Sequence, residues 1–97
     1  MAIAVVQEWR QEVTDRATPN YDAITQRLQA AGPIDGLLVH AAGFYAHGFR
    51  IFEVWETQEH FDRFLRDRLG PLIADVSGAD AAQPETEVYE LHAFATP

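Results

Sequence analysis

Four histidines, fifteen carboxylates and no cysteine set the chemistry open to this chain. Without a thiol there are no disulfides, thiolate metal sites or sulfur nucleophiles. Ser77 is the only serine and sits in a Gly-Ala stretch, a poor setting for a nucleophile. Neither a G-x-G-x-x-G loop nor a Walker pattern occurs, so no phosphate cradle is expected. What remains is acid–base chemistry. His40 stands inside the apolar run LLVHAA, where an imidazole needs a partner and can serve as a base near neutral pH. Glu53 stands inside FRIFEVWE, between apolar neighbours, where a carboxylate is either paired or shifted in pKa. These two are the candidate catalytic residues.

Around them lie candidate ligand contacts. Trp55, two residues after Glu53, offers a broad face for stacking, and Ile51 falls on the same strand face. His92 lies beside Glu90 near the C-terminus, and Tyr45 and His47 lie in a turn that could sit at a cavity mouth. His60 opens a helix and is expected in solvent. The four histidines show no H-x-x-x-H spacing, so no metal is expected, although a folded cluster of His40, Glu53 and His92 is conceivable.

The elements that position these residues follow from periodicity. Ile3 to Trp9 alternates as a first strand. Thr18-Pro19 opens a helix, Tyr21, Ile24, Leu28 and Ala31 form its stripe, and Gly32-Pro33 ends it. Gly36 to Ala42 reads as a second strand, Gly43 to Gly48 as a turn, and Phe49 to Glu56 as a third strand. Thr57 caps a second helix with Phe61, Phe64, Leu65, Leu69 and Leu72 on one stripe, and Gly70-Pro71 predicts a kink or short break. Ser77 to Glu85 reads as a loop and Glu87 to Phe94 as the last strand. The hairpin register stays open. Pairing His40 with Glu53 or Ile51 puts His40 and Glu53 on one face. A one-residue slip sends His40 to the other face, with Phe52 and Val54.

The order β-α-β-β-α-β predicts an α+β, ferredoxin-like fold: four antiparallel strands with both helices on one face. The chain reads as a single domain, 1–97. Its bare sheet face would carry some of Ile51, Trp55, Leu38, Phe94 and Val88. A patch of several hundred square ångströms is rare on a monomer, so two copies are expected to pack as a two-fold homodimer.

Composition narrows the partners. The hydrophobic fraction of 47% argues against disorder. A net charge of -8, with all seven bases arginine, disfavours nucleic acid and anionic membranes. No apolar run spans a membrane and no signal segment is apparent, so a cytoplasmic protein is expected.

The run GLLVHAAGF…GFRIFEVWETQEHFDRFLRDRLGPLI resembles the small dimeric α/β-barrel proteins of the antibiotic biosynthesis monooxygenase type. The most specific piece is EVWET followed at once by EHFDRFLRDRLGP, and the likeness covers about residues 3–94. The resemblance implies a cavity between two sheets, with Trp55, Glu53, Ile51 and His40 facing it. It implies cofactor-free oxygenation or cyclisation of aromatic, polyketide-like molecules, or haem degradation. Haem-degrading relatives carry an asparagine in the first strand, where this chain has Gln7 or Glu8, and a histidine in the second helix that it lacks beyond His60. The expected function is therefore a cofactor-independent monooxygenase-like protein with His40 as base, Glu53 as its orienter and Trp55 as the stacking wall. A cyclase or isomerase, and a non-catalytic binding or structural dimer, are the alternatives.

Overall fold

The computed structural model describes residues 1–10, 18–78 and 83–95. Strand β1 (Ile3–Arg10) is followed by helix α1 (Pro19–Ala30) and the hairpin β2 (Leu37–Tyr45) and β3 (Gly48–Trp55). Helix α2 (Gln58–Phe64), a π-helical turn (Leu65–Leu69) and helix α3 (Gly70–Ser77) form one run, and strand β4 (Glu85–Glu90) closes the chain. All pairings are antiparallel and the strand order is β2-β3-β1-β4. This is the α+β, ferredoxin-like architecture expected from the order of elements.

Boundaries differ where pairing overrides composition. The predicted turn from Gly43 shrinks to Ala46-His47, because Gly43 pairs with Arg50 and Tyr45 with Gly48. Gly48 has φ 153°, and a Cβ there would lie 2.0 Å from the Trp9 carbonyl oxygen, so only glycine lets β3 pass this close to β1. The last strand begins earlier than expected and ends at Glu90 rather than Phe94. Its partner β1 begins at Ile3, opposite Glu90, and only the Leu91 N–H reaches further, to the Ala2 carbonyl. His92 thus lies beyond the strand. Within the predicted 77–85 loop, residues 79–82 lie outside the described residues.

The helix termini behave unequally. Thr57 caps α2 by accepting the His60 backbone N–H at 3.1 Å. Thr18 gives no side-chain cap and instead donates to Asp22. No break occurs at Gly70-Pro71. Proline removes an N–H and crowds the carbonyl one turn back, and the helix answers by widening upstream into a π turn, where the Gly70 N–H donates to the Leu65 carbonyl. A Cβ on Gly70 would meet that carbonyl oxygen at 2.8 Å.

The core lies at one end of the sheet–helix layer. Trp55 and Val5 are fully buried, with Ile3, Phe61 and Phe64 around them and Leu28, Ile34, Leu37, Leu65 and Leu69 packed against the cluster. Each such large side chain is worth about 1.5–3 kcal/mol on burial. Both helices cover the face carrying Val5, Ile51, Glu53 and Trp55. This corrects the expectation that Ile51 and Trp55 occupy the bare face. Val88 pairs with Val5 and shares the helix side, while Leu38 and Phe94 are exposed. Among the described residues, no helix is long and apolar enough to cross a membrane.

Candidate functional site

Helix α1 buries none of its residues fully. Its stripe of Tyr21, Ile24 and Leu28 roofs a cavity of about 1250 Å³ instead of a filled core. The floor is the helix-side face of the sheet: Gln7 and Trp9 of β1, His40 and Phe44 of β2, and Phe49, Ile51 and Glu53 of β3. Leu65, Leu69 and Ile73 close the side toward the second helical run. This cavity lies between the sheet and the helices of one chain, whereas the resemblance implied one between two sheets. Along β3 the packed core at Trp55 gives way to cavity lining at Glu53, Ile51 and Phe49. Arg27 bonds Asp75 of α3, and Arg68 donates to the Pro33 carbonyl at 3.0 Å. These contacts tether α1 and its exit to the second helical run.

The register left open by the sequence is settled. A bulge at Leu38 inserts one residue into β2, and from Val39 onward the strands align so that His40 stands opposite Glu53. His40 Nδ1 lies 2.6 Å from Glu53 Oε2. Glu53 is buried, and its other oxygen accepts the Trp55 indole N–H at 3.1 Å. A carboxylate only accepts, so the neutral His40 imidazole carries its proton on Nδ1 and leaves Nε2 as an acceptor. Nε2 lies 2.6 Å from the Tyr21 hydroxyl, which donates to it. The Tyr21 ring stacks on His40 at 6.0 Å and meets Phe49 edge-on at 5.3 Å. The result is a chain Tyr21–His40–Glu53–Trp55 running from the cavity wall into the core. Burial pushes the Tyr21 phenol above its ordinary pKa, the Glu53 and Asp22 carboxylates add to this, and a hydrogen bond from Thr25 opposes it.

Of the sequence candidates, His40, Glu53 and Ile51 line the cavity. Trp55 does not. It is fully buried against Phe61 and Phe64 with ring centroids at 5.7 and 5.1 Å, so it cannot be a stacking wall and instead anchors Glu53. The aromatic wall is Tyr21, Phe49, Phe44 and Trp9. Tyr45 ends β2 on the opposite sheet face, where its hydroxyl donates to Glu8 at 3.1 Å and Arg50 lies 4.2 Å over its ring. His92 is exposed and away from the cavity, so no cluster of His40, Glu53 and His92 forms. His60, expected in solvent, is partly buried: it packs over Gly36 and lies 3.6 Å from Asp35 and 3.8 Å from Glu56. Among the described residues, no three His, Asp or Glu side chains converge as a metal site. Tyr21 was missed as a site residue because its spacing fits an ordinary helix stripe. The usable signal was a hydroxyl within an otherwise aliphatic stripe.

No protein-family model matches the sequence, and no curated protein does. Solved structures do. A Chloroflexus aurantiacus protein assigned to the antibiotic biosynthesis monooxygenases superposes with a TM-score of 0.65 at 18% identity, over 99% of this chain and 98% of that one. A cofactor-independent oxygenase from Streptomyces nogalater gives 0.63 at 15% identity, over 96% and 95%. A heme-degrading protein from Mycobacterium tuberculosis gives 0.63 at 15% identity, over 99% and 100%. At these identities the likeness is one of fold, and the chain has the ferredoxin-like fold of the antibiotic biosynthesis monooxygenase type.

Proposed function

We propose that the chain is a cofactor-independent monooxygenase acting on a small aromatic, polyketide-like molecule, with His40 as general base and Glu53 as its positioning residue. The observation that carries this reading is the His40–Glu53 pair set in the wall of an aromatic-lined cavity. The buried carboxylate fixes the imidazole tautomer and stabilises the imidazolium that forms when Nε2 takes a proton. Removing a proton from an electron-rich phenol gives an anion that reacts with dioxygen directly. One oxygen atom enters the substrate, the other leaves as water, and the substrate itself is the reductant. The protein supplies the base, the orientation and a sheltered cavity. An open space of this size favours a ligand site over a side-chain-filled interior.

A cyclase or isomerase would use the same pair without oxygen. We further propose that the protein acts in the cytoplasm as a homodimer joined through the sheet face away from the helices.

The test is oxygen uptake by metal-stripped protein with a panel of electron-rich polyphenols, beside His40→Ala. Uptake that requires the protein and falls about a hundredfold in the variant is the expected result. Uptake unchanged by the substitution removes His40 as base. Turnover of the polyphenols without oxygen consumption moves the assignment to the cyclase class.

A further inference from the structure

The base reading leaves one feature of the site without a role. In the tautomer that Glu53 imposes, the Nε2 lone pair is the only acceptor His40 has, and the Tyr21 hydroxyl occupies it at 2.6 Å. Both residues line the cavity, so a molecule that uses the Nε2 acceptor must act through the Tyr21 hydroxyl or displace it. That oxygen donates its own proton to His40. Phe49 lies edge-on to the Tyr21 ring, with Phe44 5.1 Å from Phe49, so an aromatic surface adjoins the hydroxyl.

We propose that Tyr21 is a catalytic residue of this site, relaying a proton from the hydroxyl of a phenolic substrate to His40. The inference rests on the reading of His40 as base, and adds to it the group that touches the substrate and the substrate class. In the step, the substrate O–H bond breaks and its proton forms a new O–H bond on Tyr21. The proton Tyr21 already carried moves to His40 Nε2. The substrate is left as a phenolate, Tyr21 is regenerated, and the imidazolium faces Glu53. No electrons change hands. Burial and the Glu53 carboxylate keep the Tyr21 phenol protonated, so the two transfers run together rather than through a standing tyrosinate. An aliphatic alcohol would not serve, because its anion lies too far above tyrosine in pKa to form this way.

The probe is 4-nitrophenol, whose visible absorbance reports its own ionisation. It is titrated against wild type, Tyr21→Phe and His40→Gln at a pH where the free probe is mostly neutral. Tyr21→Phe removes one oxygen, and circular dichroism checks that each variant is folded. The expected result is ionised bound probe in the wild type and a loss of at least about tenfold in the ionised-to-neutral ratio in both variants, the change that one pKa unit makes. If the Tyr21→Phe protein ionises the probe as the wild type does while His40→Gln does not, the relay is overturned and the base stands. Tighter binding with undiminished ionisation in Tyr21→Phe would make Tyr21 a cap that substrates displace, which also overturns the relay. If the wild type produces no phenolate signal, the base reading falls and the relay with it.

Discussion

Glu8 is the most heavily engaged carboxylate on the sheet face turned away from the cavity. Its oxygens accept from Arg50 Nε at 2.9 Å and from the Tyr45 hydroxyl at 3.1 Å, and Arg10 lies 3.8 Å away. Partial burial works to raise its pKa, but those hydrogen bonds and the two arginines outweigh it and hold the carboxyl below the ordinary 4.5. A depressed folded-state pKa means stability that is present above the unfolded value and lost as pH falls through the folded one. Acidification from about pH 7 to about pH 3.5 should therefore lower the melting temperature more in the wild type than in Glu8→Gln. Glu8→Gln should also be the less stable protein at neutral pH, because Arg50 loses its charged partner. Thermal melts of both proteins at the two pH values decide it, and equal acid shifts would show that Glu8 contributes nothing. At this scale the sequence was legible by residue type and not by contact. His40 and Glu53 stand out as polar groups in apolar strands. Their meeting depended on the bulge at Leu38, which no composition rule marks. Trp55 shows the opposite failure: its type suits stacking, and its position in the filled end of the core removes it from the ligand.

The second helical run shows how an element can be read correctly and still be misjudged in its detail. The stripe of Phe61, Phe64, Leu65 and Leu69 is periodic enough to predict the helix and the face it buries. Gly70-Pro71 marked a disturbance at the right place, but a break would expose backbone groups, whereas a π turn keeps them bonded. The turn aims Leu65 and Leu69 at the cavity, so the irregularity shapes the site. Gly70→Ala places a Cβ 2.8 Å from the Leu65 carbonyl oxygen. The carbonyl is backbone and cannot swing aside as a side chain would. The substitution should cost about 1–3 kcal/mol, as overpacking does elsewhere, despite the higher helix propensity of alanine. Urea denaturation measures it, and a neutral or stabilising outcome would mean the π turn relaxes to an ordinary helix at no cost. Strand ends were less legible than the helix because they depend on partners. β4 stops where β1 starts, a fact about neighbours that alternation along one segment cannot reveal.

The two faces of the sheet divide the molecule's tasks. One holds the cavity and the core. The other carries Val6, Val39, Ala41 and Phe52 at its centre, with the Glu8–Arg50–Tyr45 cluster and Glu85 and Glu87 toward its rim. None of these four apolar side chains is fully buried, and among the described residues no helix covers them. An apolar centre with a charged rim is the anatomy of a protein–protein interface, and a stable two-fold contact needs about 800 Å² per partner. The order of elements was enough to predict that such a face exists. Which side chains lie on it was not, because alternation separates Ile51 and Glu53 from Phe52 and Val54 without saying which set the helices cover. Sedimentation at micromolar concentration should give a dimer for the wild type and a monomer for Phe52→Asp, which places a charge at the centre of the contact. A monomeric wild type would sink the dimer. The same variant also separates the two faces. Since the cavity is built by one chain, folded Phe52→Asp should still bind and ionise 4-nitrophenol, with affinity within about threefold of the wild type, a shift of under 1 kcal/mol. Loss of binding in a folded monomer would instead mean that the partner completes the site from across the sheet, and the barrel interior would again become the place to look for the substrate.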